Sequence, residues 1–207
     1  MSSHAKTVGN WIASRPVRSF FVSSEVPGPT GAVETALSRL AANGGPIRRV
    51  RQGLYWKEPP VTAFGVAQPD PTEAAFAVAG AGAGISGMSA ANAFGLSTQV
   101  PRQPVIAVVG RPPKGINGVR FVHRSNPHRI TLSRLEVAFL EVLIDFDETS
   151  EVNWTPARPR LRRIANESSI DLRKVAAVAS HERQAGLLTR IESLDDNERR
   201  GFGVGSQ

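Results

Sequence analysis

The sequence predicts an α+β protein, an N-terminal winged helix-turn-helix followed by a mixed α/β C-terminal domain. Two observations carry that prediction. A helical apolar stripe over residues 33–41 is followed directly by two β-prone runs around a glycine turn. Beyond Pro71, stretches with helical spacing alternate with short β-branched runs. The expected boundaries are 1–60 for the winged helix, 61–196 for the α/β domain and 197–207 for a fraying tail rich in glycine.

Taken in order, Val8, Trp11 and Ile12 recur at helical spacing within residues 5–14, and Pro16 closes that helix. Phe20-Phe21-Val22 follows, then the turn chemistry of Pro27-Gly28-Pro29. Thr30 stands where an N-cap hydroxyl would accept from an otherwise unpaired amide. Val33, Ala36, Leu37, Leu40 and Ala41 then form a core-facing stripe, ended by Asn43-Gly44-Gly45-Pro46. Ile47–Arg51 and Leu54–Lys57 flank Gln52-Gly53 and read as a hairpin.

Helices followed by a basic hairpin imply a use. In a winged helix the last helix enters the major groove while the hairpin rests on the flanking backbone. At about 100° per residue, Gly31, Thr35, Ser38 and Ala42 lie opposite the apolar stripe, with Arg39 beside them. That small, polar face lets the helix approach a groove closely, and Glu34 at its edge would either accept from a cytosine amino group or simply favour the helix N-terminus. Arg48, Arg49, Arg51 and Lys57 on the hairpin would neutralise phosphates, giving affinity without sequence information. The other use of such a fold is protein interaction alone.

Charge by segment sharpens this. The total of +7 divides into +5 for residues 1–60, +5 for 61–135, −6 for 136–157 and +3 for the remainder. Two basic regions separated by an acidic one imply either two binding surfaces or one surface and an internal electrostatic contact. With no cysteine there are no disulfides, thiolate zinc sites or cysteine nucleophiles. Ala74 to Pro101 is free of charge for 28 residues, but its glycines, serines and lack of bulky apolar side chains predict packed small-residue helices and no membrane span. A cytoplasmic location is the expectation.

Two runs resemble a known family. Ala36-Leu37-Ser38-Arg39-Leu40-Ala41-Ala42-Asn43-Gly44 with Ile47-Arg48-Arg49-Val50-Arg51-Gln52-Gly53-Leu54-Tyr55-Trp56 resembles the winged helix of AbiEi-type antitoxins of bacterial type IV toxin–antitoxin systems. Ser89-Ala90-Ala91-Asn92-Ala93-Phe94-Gly95-Leu96-Ser97-Thr98-Gln99-Val100-Pro101 is similar to the family's second-domain signature. The resemblance implies an antitoxin that opposes a cognate nucleotidyltransferase toxin through its second domain and represses its own operon through the first. Operator DNA and the toxin would be the partners, with a homodimer matching a palindromic operator.

The second domain predicts helices over 72–82 and 86–95, strands at Pro104–Val109 and Val119–His123, and an amphipathic helix after the cap candidate Thr131. Further helices are expected from Ser169, with Asp171 in the first turn, and around Leu187–Leu194. Arg111, Lys114, Arg120, Arg124 and Arg129 form a guanidinium-rich cluster suited to an acidic toxin face or a nucleic-acid backbone. Catalytic signatures are sparse. Gly80, Gly82 and Gly84 lack the strand before and the Gly-Lys-Ser/Thr after that a phosphate loop needs, so close helix packing explains them better. His123 and His128 have no carboxylate near them in sequence, and no metal site is expected. Asp145 and Asp147, with Glu148, would share one side of an extended segment and suit Mg²⁺, though a solvated acidic turn after a helix accounts for them better. No cofactor is therefore expected. ATP and Mg²⁺ enter only with the alternative that the antitoxin is an enzyme, an atypical serine/threonine protein kinase that modifies its toxin.

Overall fold

The computed structural model describes residues 3–42, 44–63 and 65–195. It is an α+β structure with two separate three-stranded sheets, and the chain divides into two compact units. The first comprises residues up to Ala79 together with Pro113–Val119; the second comprises Gly80–Pro112 and the chain from Arg120 onward. The first unit thus continues past residue 60. The expected tail at 197–207 lies outside the described residues.

In the first unit, α1 (Ser3–Ser14) and α2 (Thr30–Ala41) pack together against a sheet of order β1-β3-β2, with β1 (Phe20–Val22), β2 (Ile47–Arg51) and β3 (Leu54–Lys57) all antiparallel. Val8, Ile12, Phe21, Val33, Ala36, Leu37, Ile47 and Tyr55 make one buried cluster, with Phe21 stacked on Tyr55 at 5.8 Å. Leu54 and Trp56 alternate to the other face of the sheet and are also buried. The same strands β1 and β3 are packed by α3 (Pro71–Ala79), and this contact carries the unit past residue 60. The α2 N-cap is Pro29, not Thr30: the Pro29 carbonyl accepts from Val33 N at 3.0 Å, and the Thr30 side chain makes no cap bond.

The second unit is organised around α5 (Arg134–Ile144), in which every residue from Glu136 to Leu143 is buried. Sequence spacing implied an amphipathic helix; instead α4 (Gly87–Ala93), α8 (Leu172–Ala179), α9 (Leu187–Asp195) and β4 (Gly84–Ile85) all pack on α5. Its cap is Ser133 and not Thr131. Ser133 accepts from Glu136 N, and Glu136 Oε2 accepts from Ser133 N at 2.7 Å, closing a capping box. The glycines before it serve packing: a Cβ on Gly84 would stand 2.7 Å from Val137, and one on Gly82 2.8 Å from the Arg129 backbone. The expected helix over 72–82 ends at Ala79, leaving room for β4.

β4 pairs antiparallel with β5 (Val105–Val109), and β5 pairs parallel with β6 (Arg120–Arg124). The short helix α6 (Phe146–Thr149) follows α5, and Phe146 meets Trp154 edge-on at 5.1 Å. Trp154 opens α7 (Trp154–Glu167), at 14 residues the longest described helix and one that sequence reasoning did not foresee. Pro156 lies in its first turn, where an amide needs no partner. Pro159 is exposed on the solvent side, so its missing amide costs a single bond there. Ala157, Leu161 and Ala165 bury the inner face of α7, which packs on α9. Asp171 caps α8 by accepting from Arg173 N and Lys174 N; it stands before that helix and not within it.

Candidate nucleic-acid interface

Along α2 the stripe Val33, Ala36 and Leu37 is buried, while Gly31, Glu34, Thr35, Ser38 and Arg39 are exposed. Thr35 bonds back to the Gly31 carbonyl at 2.8 Å, so its methyl and not its hydroxyl hydrogen faces outward. Gly31 has open space where a Cβ would be. Across from this face, Arg49 on β2 sits opposite Tyr55 in the ladder and shares its side of the sheet. The result is a cleft of about 450 Å³ lined by Ser23, Glu34, Thr35, Ser38, Arg39, Arg49, Gln52, Gly53 and Tyr55. Arg39 and Arg49 are exposed, and no carboxylate among the described residues is bonded to either. Two free guanidiniums beside a small polar helix face form a concave, cationic surface on a scaffold of regular elements.

The other hairpin cations point elsewhere. The ladder shifts register between Arg49 and Arg51, so Val50 is bulged and Arg51 lands opposite Leu54 on the reverse face. Arg51 is half-buried, with its stem beside Gly115. Arg48 also faces that way. Its Nε donates to Glu58 at 2.5 Å, its Nη1 to Gln68 at 2.7 Å, and its guanidinium lies 5.7 Å from the Trp56 ring centre. Lys57 Nζ donates to the carbonyls of Ala13 and Arg15 at 2.8 and 2.5 Å, neutralising the C-terminal end of α1. Of the eight residues expected to face DNA, Gly31, Thr35, Ser38, Arg39 and Arg49 share one surface; Arg48, Arg51 and Lys57 are engaged in the fold. Gln52 and Tyr55, which line the cleft, were not singled out by sequence, because nothing in it marks the bulge that orients them.

The cations of the second basic region fare differently. Arg111 and Arg120 are exposed, as is Lys114, which belongs to the first unit. Arg129 is wholly buried: Nε donates to Glu182 at 2.6 Å and Nη1 to Glu141. Arg124 grips Glu141 with Nε at 3.0 Å and Nη2 at 2.6 Å and lies 3.6 Å from Asp145. Neither arginine is free for an acidic partner, which corrects that expectation for Arg124 and Arg129. Burial pushes the Glu141 carboxyl up, but the Arg124 hydrogen bonds and the Arg129 charge outweigh it and hold the group below its ordinary range. Asp145 is raised, by burial first and by the Glu141 charge second.

Asp145 and Asp147 do not share a side of an extended segment. Asp145 stands between α5 and α6, and Asp147 lies within α6, bonded to Arg190 at 2.5 Å. Among the described residues no group of His, Asp or Glu is arranged to hold a metal ion. Nor is any helix among them long and apolar enough to cross a membrane; the uncharged stretch 74–101 is broken into α3, β4 and α4.

No family model matches this chain, and no curated protein matches it significantly. Among solved structures it is similar to that of the RV2827C protein from Mycobacterium tuberculosis, with 16% sequence identity, 94% of this chain and 77% of that chain covered, and a TM-score of 0.46.

Proposed function

We propose that this protein is a DNA-binding autorepressor, with its first unit acting as a winged helix, and that it is the antitoxin to a nucleotidyltransferase toxin. One observation carries the DNA-binding part: the exposed face of α2 and the unpaired Arg39 and Arg49 line a single cationic cleft. On this reading α2 enters the major groove through Gly31, Thr35 and Ser38, whose small side chains leave the helix backbone free to approach base edges. Arg39 and Arg49 then meet phosphates on either side. Two copies on an inverted repeat give the protein the symmetry of its operator.

The antitoxin part rests on the resemblance of residues 36–56 and 89–101 to AbiEi-type antitoxins. Within the second unit its surface would include the exposed cations Arg111 and Arg120, without Arg124 and Arg129. A duplex covering the region upstream of the reading frame tests the first part: binding should exceed that of a scrambled duplex and be lost with Arg39→Ala/Arg49→Ala. Equal affinity for both duplexes would remove the repressor role. The second part requires a nucleotidyltransferase reading frame beside this one, and co-expression of its product with this chain tests it, read as rescue of growth. Intact-mass measurement of that toxin separates neutralisation by contact from phosphorylation, which adds mass only when this protein, ATP and Mg²⁺ are all present.

A further inference from the structure

The outward face of α7 carries Arg158, Arg160, Arg162 and Arg163 against a single acid, Glu167. Exposed helices ordinarily answer such charges with carboxylates three or four positions away. Here Arg158 has Trp154, Thr155, Leu161 and Arg162 at those positions, and Arg162 has Arg158, Pro159, Ala165 and Asn166. Arg158 and Arg162 are thus like charges one turn apart, a destabilising pair in the free protein. Arg160 is exposed too, but its guanidinium lies against Gly95, just past the C-terminal end of α4, where a Cβ would come within 2.1 Å of it. Arg158 and Arg163 are exposed and Arg162 is half-buried, and none of the three is ion-paired among the described residues.

We infer that this face of α7 holds the phosphodiester backbone of nucleic acid through Arg158, Arg162 and Arg163. An anion bridging the Arg158–Arg162 turn relieves their mutual repulsion, so binding is favoured by the arrangement that costs the free protein stability. A protein partner is disfavoured by what lies between the arginines. Thr155, Pro156, Pro159 and Asn166 offer no large apolar anchor, and protein interfaces are centred on such anchors and depleted of charge at their core. A polyanion needs no apolar centre, because its affinity comes from counterion release. The inference uses none of the residues of the α2–β2 cleft and stands or falls apart from it.

The test uses the full chain carrying Arg39→Ala/Arg49→Ala, so that the cleft is silent, with a random-sequence DNA duplex and a single-stranded RNA of equal length as probes. Affinity is measured against salt concentration. Adding Arg158→Ala, Arg162→Ala and Arg163→Ala should flatten the log–log slope by about 2.7 on the duplex, or about 2 on the single strand, for three contacts at about 0.9 or 0.7 each. Lysine at the three positions should restore it, which a folding defect would not. The probe whose slope falls identifies DNA or RNA as the source of the backbone. An unchanged slope on both probes overturns the inference. So does loss of all binding in the cleft variant alone, or a triple-alanine effect seen only on polyglutamate, which would mark an acidic protein as the partner.

Discussion

Replacing Glu141 with glutamine keeps the side chain's shape and removes one charge from a cluster whose remaining members are Arg124, Arg129, Glu182 and Asp145. Glu141 accepts from Arg124 at 3.0 and 2.6 Å, from Arg129 Nη1 and from the Ser86 hydroxyl, all in the wall of the buried helix α5. After the change, Arg129 is still wholly buried and keeps Glu182, 2.6 Å from its Nε, as its one carboxylate partner, the glutamine oxygen accepting as a neutral group. Breaking a buried ion pair from one side costs about 3–5 kcal/mol because a charge is stranded. Glu182 keeps the figure at the lower end, about 3 kcal/mol. For a unit of this size, about 4 °C per kcal/mol lowers the midpoint by roughly 12 °C. Arg124→Met should cost less, about 1–2 kcal/mol, since Glu141 then retains Arg129 and Ser86. Scanning calorimetry of the full chain reads both, with the second unit's transition shifting and the first's unmoved. A Glu141→Gln penalty below about 1 kcal/mol, or one smaller than that of Arg124→Met, would falsify the view that this carboxylate is the counterion the buried arginine requires.

Other outcomes follow from the same structure. Arg49→Ala should flatten the salt dependence of operator binding by about one phosphate contact, while Arg48→Ala, whose side chain is held by Glu58 and Gln68, leaves the slope alone; gel-shift titrations at several salt concentrations decide this. Gly84→Ala puts a methyl 2.7 Å from Val137 and should destabilise the second unit by about 1–3 kcal/mol in urea. Ser133→Ala removes the α5 cap and should cost about 1 kcal/mol by the same measurement. In acid, Glu141 and Asp145 work in opposite senses. The lowered Glu141 contributes stability above its unfolded value of about 4.3, lost as pH falls through its lower folded value. The raised Asp145 favours the fold below its unfolded value of about 3.9, an advantage lost as pH rises through its higher folded value. Glu141→Gln should therefore shrink the loss of stability below about pH 4, whereas Asp145→Asn should raise stability at neutral pH.

Local pattern made some of this legible. The α2 stripe and the hairpin over 47–57 follow from periodicity and turn residues alone, since both are decided within a few positions of each other. The α5 cap is legible as Ser-x-x-Glu at Ser133 and Glu136, and the hydroxyl of Thr131 two residues earlier competes with it in the sequence alone. What could not be read depends on partners distant in sequence. Arg124 and Arg129 look like surface cations until β6 and the turn after it are brought against Glu141 of α5 and Glu182, just past α8. The choice between two binding surfaces and an internal electrostatic contact is settled for these two in favour of the contact. One bulged residue, Val50, divides Arg49 from Arg51, and no propensity marks it. α7 was hidden by Pro156 and Pro159, residues that argue against a helix in general and are tolerated here because of where in the helix they fall.

The route of the chain between its two units has a consequence for synthesis. Residues 113–119 belong to the first unit, with Gly115 beside Arg51 and a Cβ on Gly118 only 3.2 Å from Pro71, yet they are made after β5 and before β6 of the second. A nascent chain folding from its N-terminus therefore cannot complete its first unit at residue 79. It must first emit Val105–Val109, an apolar strand whose parallel neighbour does not yet exist. Completion of the first unit is thereby tied to the production of its successor, and a ribosome stalled before residue 119 holds a fragment with neither unit closed.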